Sequence, residues 1–149
     1  MDQHPPADAL SPGLPARLDE ARAALRDEYR QPHAFPWIVG FSGGKDSTAV
    51  AHLVFDLLLS LAPSDRQREI HIVANDTLVE SPLVMANIAA VQAEMRTAAE
   101  AWRLPIRVVT TRPGDDATFW VNLIGRGYPS PNRSFRWCTD RMKIQPTSR

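Results

Sequence analysis

Val39-Gly40-Phe41-Ser42-Gly43-Gly44-Lys45-Asp46-Ser47-Thr48 decides how this chain folds. Upstream, Phe35 to Phe41 is largely apolar and β-branched, which reads as a strand. Downstream, Val50, Leu53, Val54, Leu57, Leu58 and Leu61 recur at spacings of three and four, the pattern of a helix with one apolar face. Two adjacent glycines between them permit positive φ and a close approach of the backbone to a ligand. The first helical turn then offers unpaired N–H groups and the positive end of its dipole to an anion. Lys45 adds a cation, and Ser42, Ser47 and Thr48 add hydroxyls. The stretch is expected to cradle a phosphate. It is not a Walker A loop, because Gly40 stands too close to Gly44 and Asp46 follows Lys45 where that motif needs Ser or Thr. The dinucleotide spacing G-x-G-x-x-G is also missing.

Outward from this loop, the pattern repeats. Glu69 to Ala74 reads as a second buried strand, ending in Asn75-Asp76-Thr77. Ser81-Pro82 is an N-cap and first-turn pair, and Val84, Ile88, Val91 and Met95 mark a helix to about Trp102. Pro105 breaks it, and Ile106 to Thr110 reads as a third strand. Two successive β-α-β units predict an α/β fold: an open parallel sheet with right-handed crossovers and helices on both faces. Before the first strand, Leu14 to Gln31 is an expected helix with Leu18, Ala21, Leu25 and Tyr29 along one side, stopped by Pro32. Residues 1–15 read as a flexible arm and 16–149 as one folded domain. After Thr111 a turn precedes a short expected helix over Thr118 to Ile124. Gly125 to Arg136 has no periodicity and is expected to order only where something such as a ligand holds it, and Cys138 to Lys143 opens another helix.

A length of 149 residues suits one domain, and 44% apolar with 23% charged residues is ordinary for a soluble globular chain. No run of apolar residues is long enough to span a membrane, and no secretory signal opens the chain. A single cysteine, Cys138, excludes an internal disulfide framework and fits a reducing, cytoplasmic setting. Net charge is zero but uneven: residues 1–106 hold nine Arg/Lys against fourteen Asp/Glu, and residues 107–149 hold eight against three. The basic end suits either nucleotide phosphates or a nucleic acid.

In an open parallel sheet, ligands bind at the carboxyl ends of the strands. Three such ends carry polar groups here: Ser42-Gly43-Gly44, Asn75-Asp76-Thr77 and Thr110-Thr111-Arg112. Asp46 suits a helix N-terminus, either as a simple complement to the dipole or as a ligand for Mg²⁺ beside phosphates. Asp76 is open to a ribose hydroxyl, Mg²⁺ or a substrate. Cys138 stands among Arg136, Arg141 and Lys143, which would favour its thiolate. One thiolate cannot by itself hold an iron–sulfur cluster or a structural zinc, which need about four ligands. His4, His33, His52 and His71 lack mutual ligand spacing.

Ser42-Gly43-Gly44-Lys45-Asp46-Ser47 resembles the SGGxDS loop of the PP-loop ATP pyrophosphatases, which cleave ATP between its α and β phosphates. Together with the strand ending in Asp76-Thr77 and the later Cys138, Lys143 and Pro146, it resembles their PAPS-reductase-like branch. Residues 40–50 (GFSGGKDSTAV), 76–82 (DTLVESP), 118–129 (TFWVNLIGRGYP) and 135–143 (FRWCTDRMK) narrow the likeness to the DndC family, the sulfurtransferase-like component of bacterial DNA phosphorothioation. The resemblance covers about residues 35 to 147. It implies an ATP pyrophosphatase that activates the DNA backbone for sulfur insertion. Partners would be a cysteine desulfurase and other proteins of the modification system, with DNA reached through the complex. It places ATP on Ser42, Gly43, Gly44, Lys45, Asp46, Ser47, Thr48, Asp76, Thr77 and Arg112. Lys45, Asp46, Arg136 and Lys143 would be catalytic, with Asp46 holding Mg²⁺. The family carries a 4Fe-4S cluster, and Cys138 matches one of its ligands; the others are absent here, so the chain is expected to be the N-terminal part of a longer protein. Two other readings stand beside this one. A sulfonucleotide (PAPS or APS) reductase would use Cys138 as a redox thiol and yield sulfite with thioredoxin. A non-catalytic nucleotide- or DNA-binding fragment would bind DNA in a salt-dependent way without turnover.

Overall fold

A computed structural model of the chain describes residues 13–33 and 35–148. Residues 1–12 of the expected arm lie outside the described residues; Leu14 and Pro15, at its end, already belong to a helix. The element order is α1 (Leu14–Tyr29), β1 (Trp37–Gly40), α2 (Lys45–Ser60), β2 (Ile70–Asn75), α3 (Pro82–Ala101) and β3 (Ile106–Thr111). Short turns follow, including a π-helical turn at Val121–Gly125 and a contiguous helical stretch made of Trp137–Thr139, Asp140–Ile144 and Gln145–Thr147. The fold is α/β with a three-stranded parallel sheet in the order β1-β2-β3.

The register explains the core. Trp37, Ile70 and Ile106 lie side by side, as do Val39, Ile72 and Val108, all on one face. Against that face pack Leu25 and Tyr29 of α1, Val54, Leu57 and Leu58 of α2, and Ile88, Val91 and Met95 of α3. Leu58, Ile70 and Ile72 are wholly buried. Burying a side chain of this kind contributes roughly 1.5–3 kcal/mol.

The three long helices all pack on this face, while the other face meets the helical stretch ending in Gln145–Thr147, which bonds to Asn75 of β2. The cause of the shared face is topological. Strands stepping in one direction, joined by crossovers of one hand, place both crossover helices on one side, and only a reversal of strand order sends a helix to the other. The second face bears Ile38, His71, Arg107 and Val109. Ile38 is 62% exposed, so this face lacks a helical layer at that row.

Local details depart from the sequence pattern in small ways. β1 begins at Trp37, just after Pro36, which cannot donate to a ladder. Ser81 does occupy the α3 N-cap with Pro82 next, but its hydroxyl makes no capping bond; its carbonyl accepts from the Met85 N–H at 3.1 Å. Among the described residues no helix is long and apolar enough to cross a membrane.

Tyr29 ties α1 to the entry of β2. Its hydroxyl donates to the Arg68 carbonyl at 3.2 Å and accepts from the Arg68 N–H at 3.0 Å, and its ring meets Trp37 edge-on. Burial pushes the Tyr29 phenol above the ordinary tyrosine value of 10.0, against the lowering effect of the Arg68 hydrogen bond and the Arg68 and Arg66 charges. A folded value above the unfolded one gives stability that is whole below the ordinary value and lost as pH rises through the folded one. Urea midpoints measured from about pH 9 to pH 11 are therefore expected to fall, and to fall less in Tyr29→Phe.

Candidate functional site

The glycine loop sits at the carboxyl end of β1. Gly43 adopts φ +74°, a conformation that glycine takes without strain, and its backbone lies against Ile88 of α3. The loop is braced from within. Ser47 Oγ accepts from the Ser42 N–H at 3.2 Å and donates to the Gly44 carbonyl at 3.0 Å; Thr48 Oγ1 donates to the same carbonyl at 2.9 Å. With the Ser47 proton so placed, the Ser42 hydroxyl is the donor in the 3.2 Å contact with Ser47. The hydroxyls of Ser47 and Thr48 thus shape the loop.

What the loop presents instead is backbone. The N–H groups of residues 43 to 47 donate to no acceptor among the described residues. These five consecutive donors lie at the positive end of α2. Exposed and unpaired N–H groups at a helix start make an anion site. Lys45 and Asp46 are exposed there, and neither has a hydrogen-bond or ion-pair partner among the described residues.

The ends of β2 and β3 form the second part. Asp76 is 6% exposed. One of its oxygens accepts from Arg112 Nε at 2.9 Å, and the other from the Leu78 N–H at 3.0 Å, a local turn that holds Leu78 at φ +63°. Arg112 remains 67% exposed, and its two terminal nitrogens have no partner among the described residues. Asp76 therefore aims Arg112, leaving a guanidinium fork open to an anion. Thr77 is buried, and both its hydroxyl and its N–H go to the Glu80 carboxylate.

Asp76 and Arg112 line a recess of about 310 Å³ with Met85, Ile88, Gln92 and Thr110. Ile88 is the residue against which Gly43 packs, so recess and loop are contiguous. Gln92, 3% exposed, fixes one wall: its amide donates to the Val109 carbonyl and accepts from the Thr110 hydroxyl. An opening of about 700 Å³ near Tyr29 and Arg68 lies at the amino ends of the strands, and a groove of about 260 Å³ between α2 and α3 is lined mainly by apolar side chains such as Phe55 and Met95. Neither borders Gly43 or Arg112.

The third part is the basic segment. Lys143 comes to the sheet through its backbone: the Asn75 amide lies 3.4 Å from its carbonyl and 2.9 Å from Thr147 Oγ1. Arg136 and Lys143 are exposed, with side chains unpartnered among the described residues, and Cys138 is half-buried. No hydrogen bond joins Arg136 or Cys138 to the glycine loop. The aperiodic stretch before them is held by the protein itself. Trp137 stacks on Phe119 at 5.4 Å, meets Tyr128 edge-on and donates to the Pro129 carbonyl. Asn122, fully buried, donates to the carbonyls of Ala117 and Thr118 and accepts from Arg126. The holding contacts expected for this stretch come from the protein's own side chains.

Gln92 was not singled out in the sequence, and the backbone donors were expected from the helix start rather than from any side chain. Only the position of Asn75 at a strand end marked it. The chain matches no family model, no curated protein and no solved structure.

Proposed function

We propose that the chain is an ATP pyrophosphatase of the PP-loop type, cytoplasmic, which adenylylates a DNA backbone oxygen ahead of sulfur insertion in phosphorothioate modification. The observation that carries the nucleotide part is the run of free N–H groups at residues 43–47, opening the helix directly behind a left-handed glycine. The DNA, the cysteine desulfurase and the other modification proteins enter through the sequence likeness alone.

In this reading the loop binds the β and γ phosphates, and the recess beside Ile88 takes the nucleoside end. A backbone oxygen of the acceptor attacks the α phosphorus, the bond to the β phosphate breaks, and pyrophosphate leaves with the electron pair. Lys45 and Arg112 meet charge on the phosphates, and Lys143 and Arg136 supply further cations. Asp46 fits Mg²⁺: an exposed, unpaired carboxylate plus phosphate oxygens is the donor set this ion takes. When bound, Mg²⁺ would neutralise the leaving pyrophosphate. A 4Fe-4S cluster does not fit this chain, which has one cysteine and, among the described residues, no group of three His, Cys, Asp or Glu side chains able to hold a metal. No step of the reaction runs through one. The test is the fate of ATP labelled at its α phosphate, which separates cleavage beyond the α phosphate from loss of the γ phosphate alone.

A further inference from the structure

We propose that Asn75 is a positioning residue that docks the basic helical stretch Trp137–Thr147 onto the strand ends and so sets its cations for the reaction. The proposal rests on the nucleotide reading above. Asn75 is the last residue of β2, on the face opposite the three long helices. Its amide has two hydrogens, and each has a threonine hydroxyl: Thr111 Oγ1 of β3 at 2.6 Å and Thr147 Oγ1 at 2.9 Å. Thr147 in turn donates to the Lys143 carbonyl at 2.7 Å. The path from sheet to Lys143 thus runs through the Asn75 amide, directly to the Lys143 carbonyl at 3.4 Å and by way of the Thr147 hydroxyl.

No other hydrogen bond or salt bridge among the described residues joins residues 137–148 to the three strands. The remaining polar contacts of this segment stay local, to Pro129, to Tyr128 and within itself. Asn75 is therefore where the sheet that carries Asp76 and the segment that carries Lys143 are tied together. An aspartate there would have the shape but no N–H to give. A small displacement of a charged group from its working position lowers rate more than binding when that group acts mainly in the transition state.

The experiment compares wild type, Asn75→Ala, Thr147→Val and the double variant by hydrogen exchange and by steady-state ATP turnover. Asn75→Ala is expected to raise exchange in residues 137–148 about tenfold while residues 45–60 keep theirs. It should lower kcat by about 10–100-fold and leave the ATP Kd within about threefold. Thr147→Val should reproduce both effects, and the double variant should be no worse than either single one, as for two ends of one contact. Unchanged exchange in Asn75→Ala overturns the docking. Faster exchange with unchanged kcat overturns the positioning role, and so does a general loss of protection in which kcat falls and Kd rises together. A wild-type chain that yields no AMP refutes the nucleotide reading instead. The exchange arm then decides alone: equal rates overturn the clamp, and faster exchange confined to residues 137–148 supports it.

Discussion

Replacing Gly43 with alanine is expected to lower stability by about 2–5 kcal/mol and to weaken ATP binding by more than about 100-fold. Two costs add at this position. A side chain at φ +74° meets the left-handed penalty, about 1–2 kcal/mol. A Cβ would also stand 2.6 Å from Ile88 Cγ1, and overpacking of this kind costs about 1–3 kcal/mol. Ile88 is 5% exposed, and the overlap falls on its Cγ1 rather than on the end of its side chain. The loop must shift, and with it the N–H groups of residues 43–47. A hydrogen bond to a charged group contributes about 1.5–3 kcal/mol, so misaligning two of them accounts for the loss of affinity. Urea titration and calorimetry with ATP measure the two effects. The partner test is Gly43→Ala with Ile88→Ala. Removing the overlap should make the double variant cost less than the sum of its parts, while the φ penalty remains.

The second large effect is expected at Asp76. Asp76→Asn keeps an oxygen for the Leu78 N–H but loses the charge that holds Arg112. Nucleotide affinity should fall by about 10–100-fold, equivalent to one charge-assisted hydrogen bond, with little change in the urea midpoint. Asp76→Ala removes both contacts, frees Leu78 from its φ +63° turn, and should lower the midpoint as well. Arg112→Lys is expected to match Asp76→Asn, because an ammonium replaces a planar fork by a single point charge. An Asp76→Asn protein that binds ATP as wild type does would show that Arg112 needs no anchor, and would remove it from the site.

The strands, the long helices and the glycine loop were legible because each rests on a local pattern: alternation or apolar runs, spacings of three and four, and paired glycines. The side taken by each long helix was not. Which face a helix covers depends on strand order, and no residue of α2 or α3 encodes that order locally. The site was half legible for a related reason. Residues 42–48 are close in sequence, and the proposal that they cradle a phosphate could be made from residue type alone. The inward turn of the Ser47 and Thr48 hydroxyls toward Gly44 does not follow, since a hydroxyl at a helix start serves a ligand or the backbone equally well. Asp76 and Arg112 are 36 positions apart, and Asn75 and Thr147 are 72 apart. Such pairs exist only once β2, β3 and the C-terminal stretch are brought side by side. The order of residues 125–136 depends on Trp137, Phe119 and Tyr128 meeting, which composition rich in glycine and proline conceals.

The most direct test of the central claim is to incubate the protein with Mg²⁺ and ATP labelled at its α phosphate, with duplex DNA present, and to separate the products. The account predicts label in AMP or in an adenylylated product, with pyrophosphate released, and none of this from Lys45→Ala. Label in ADP, with free phosphate released, would contradict it.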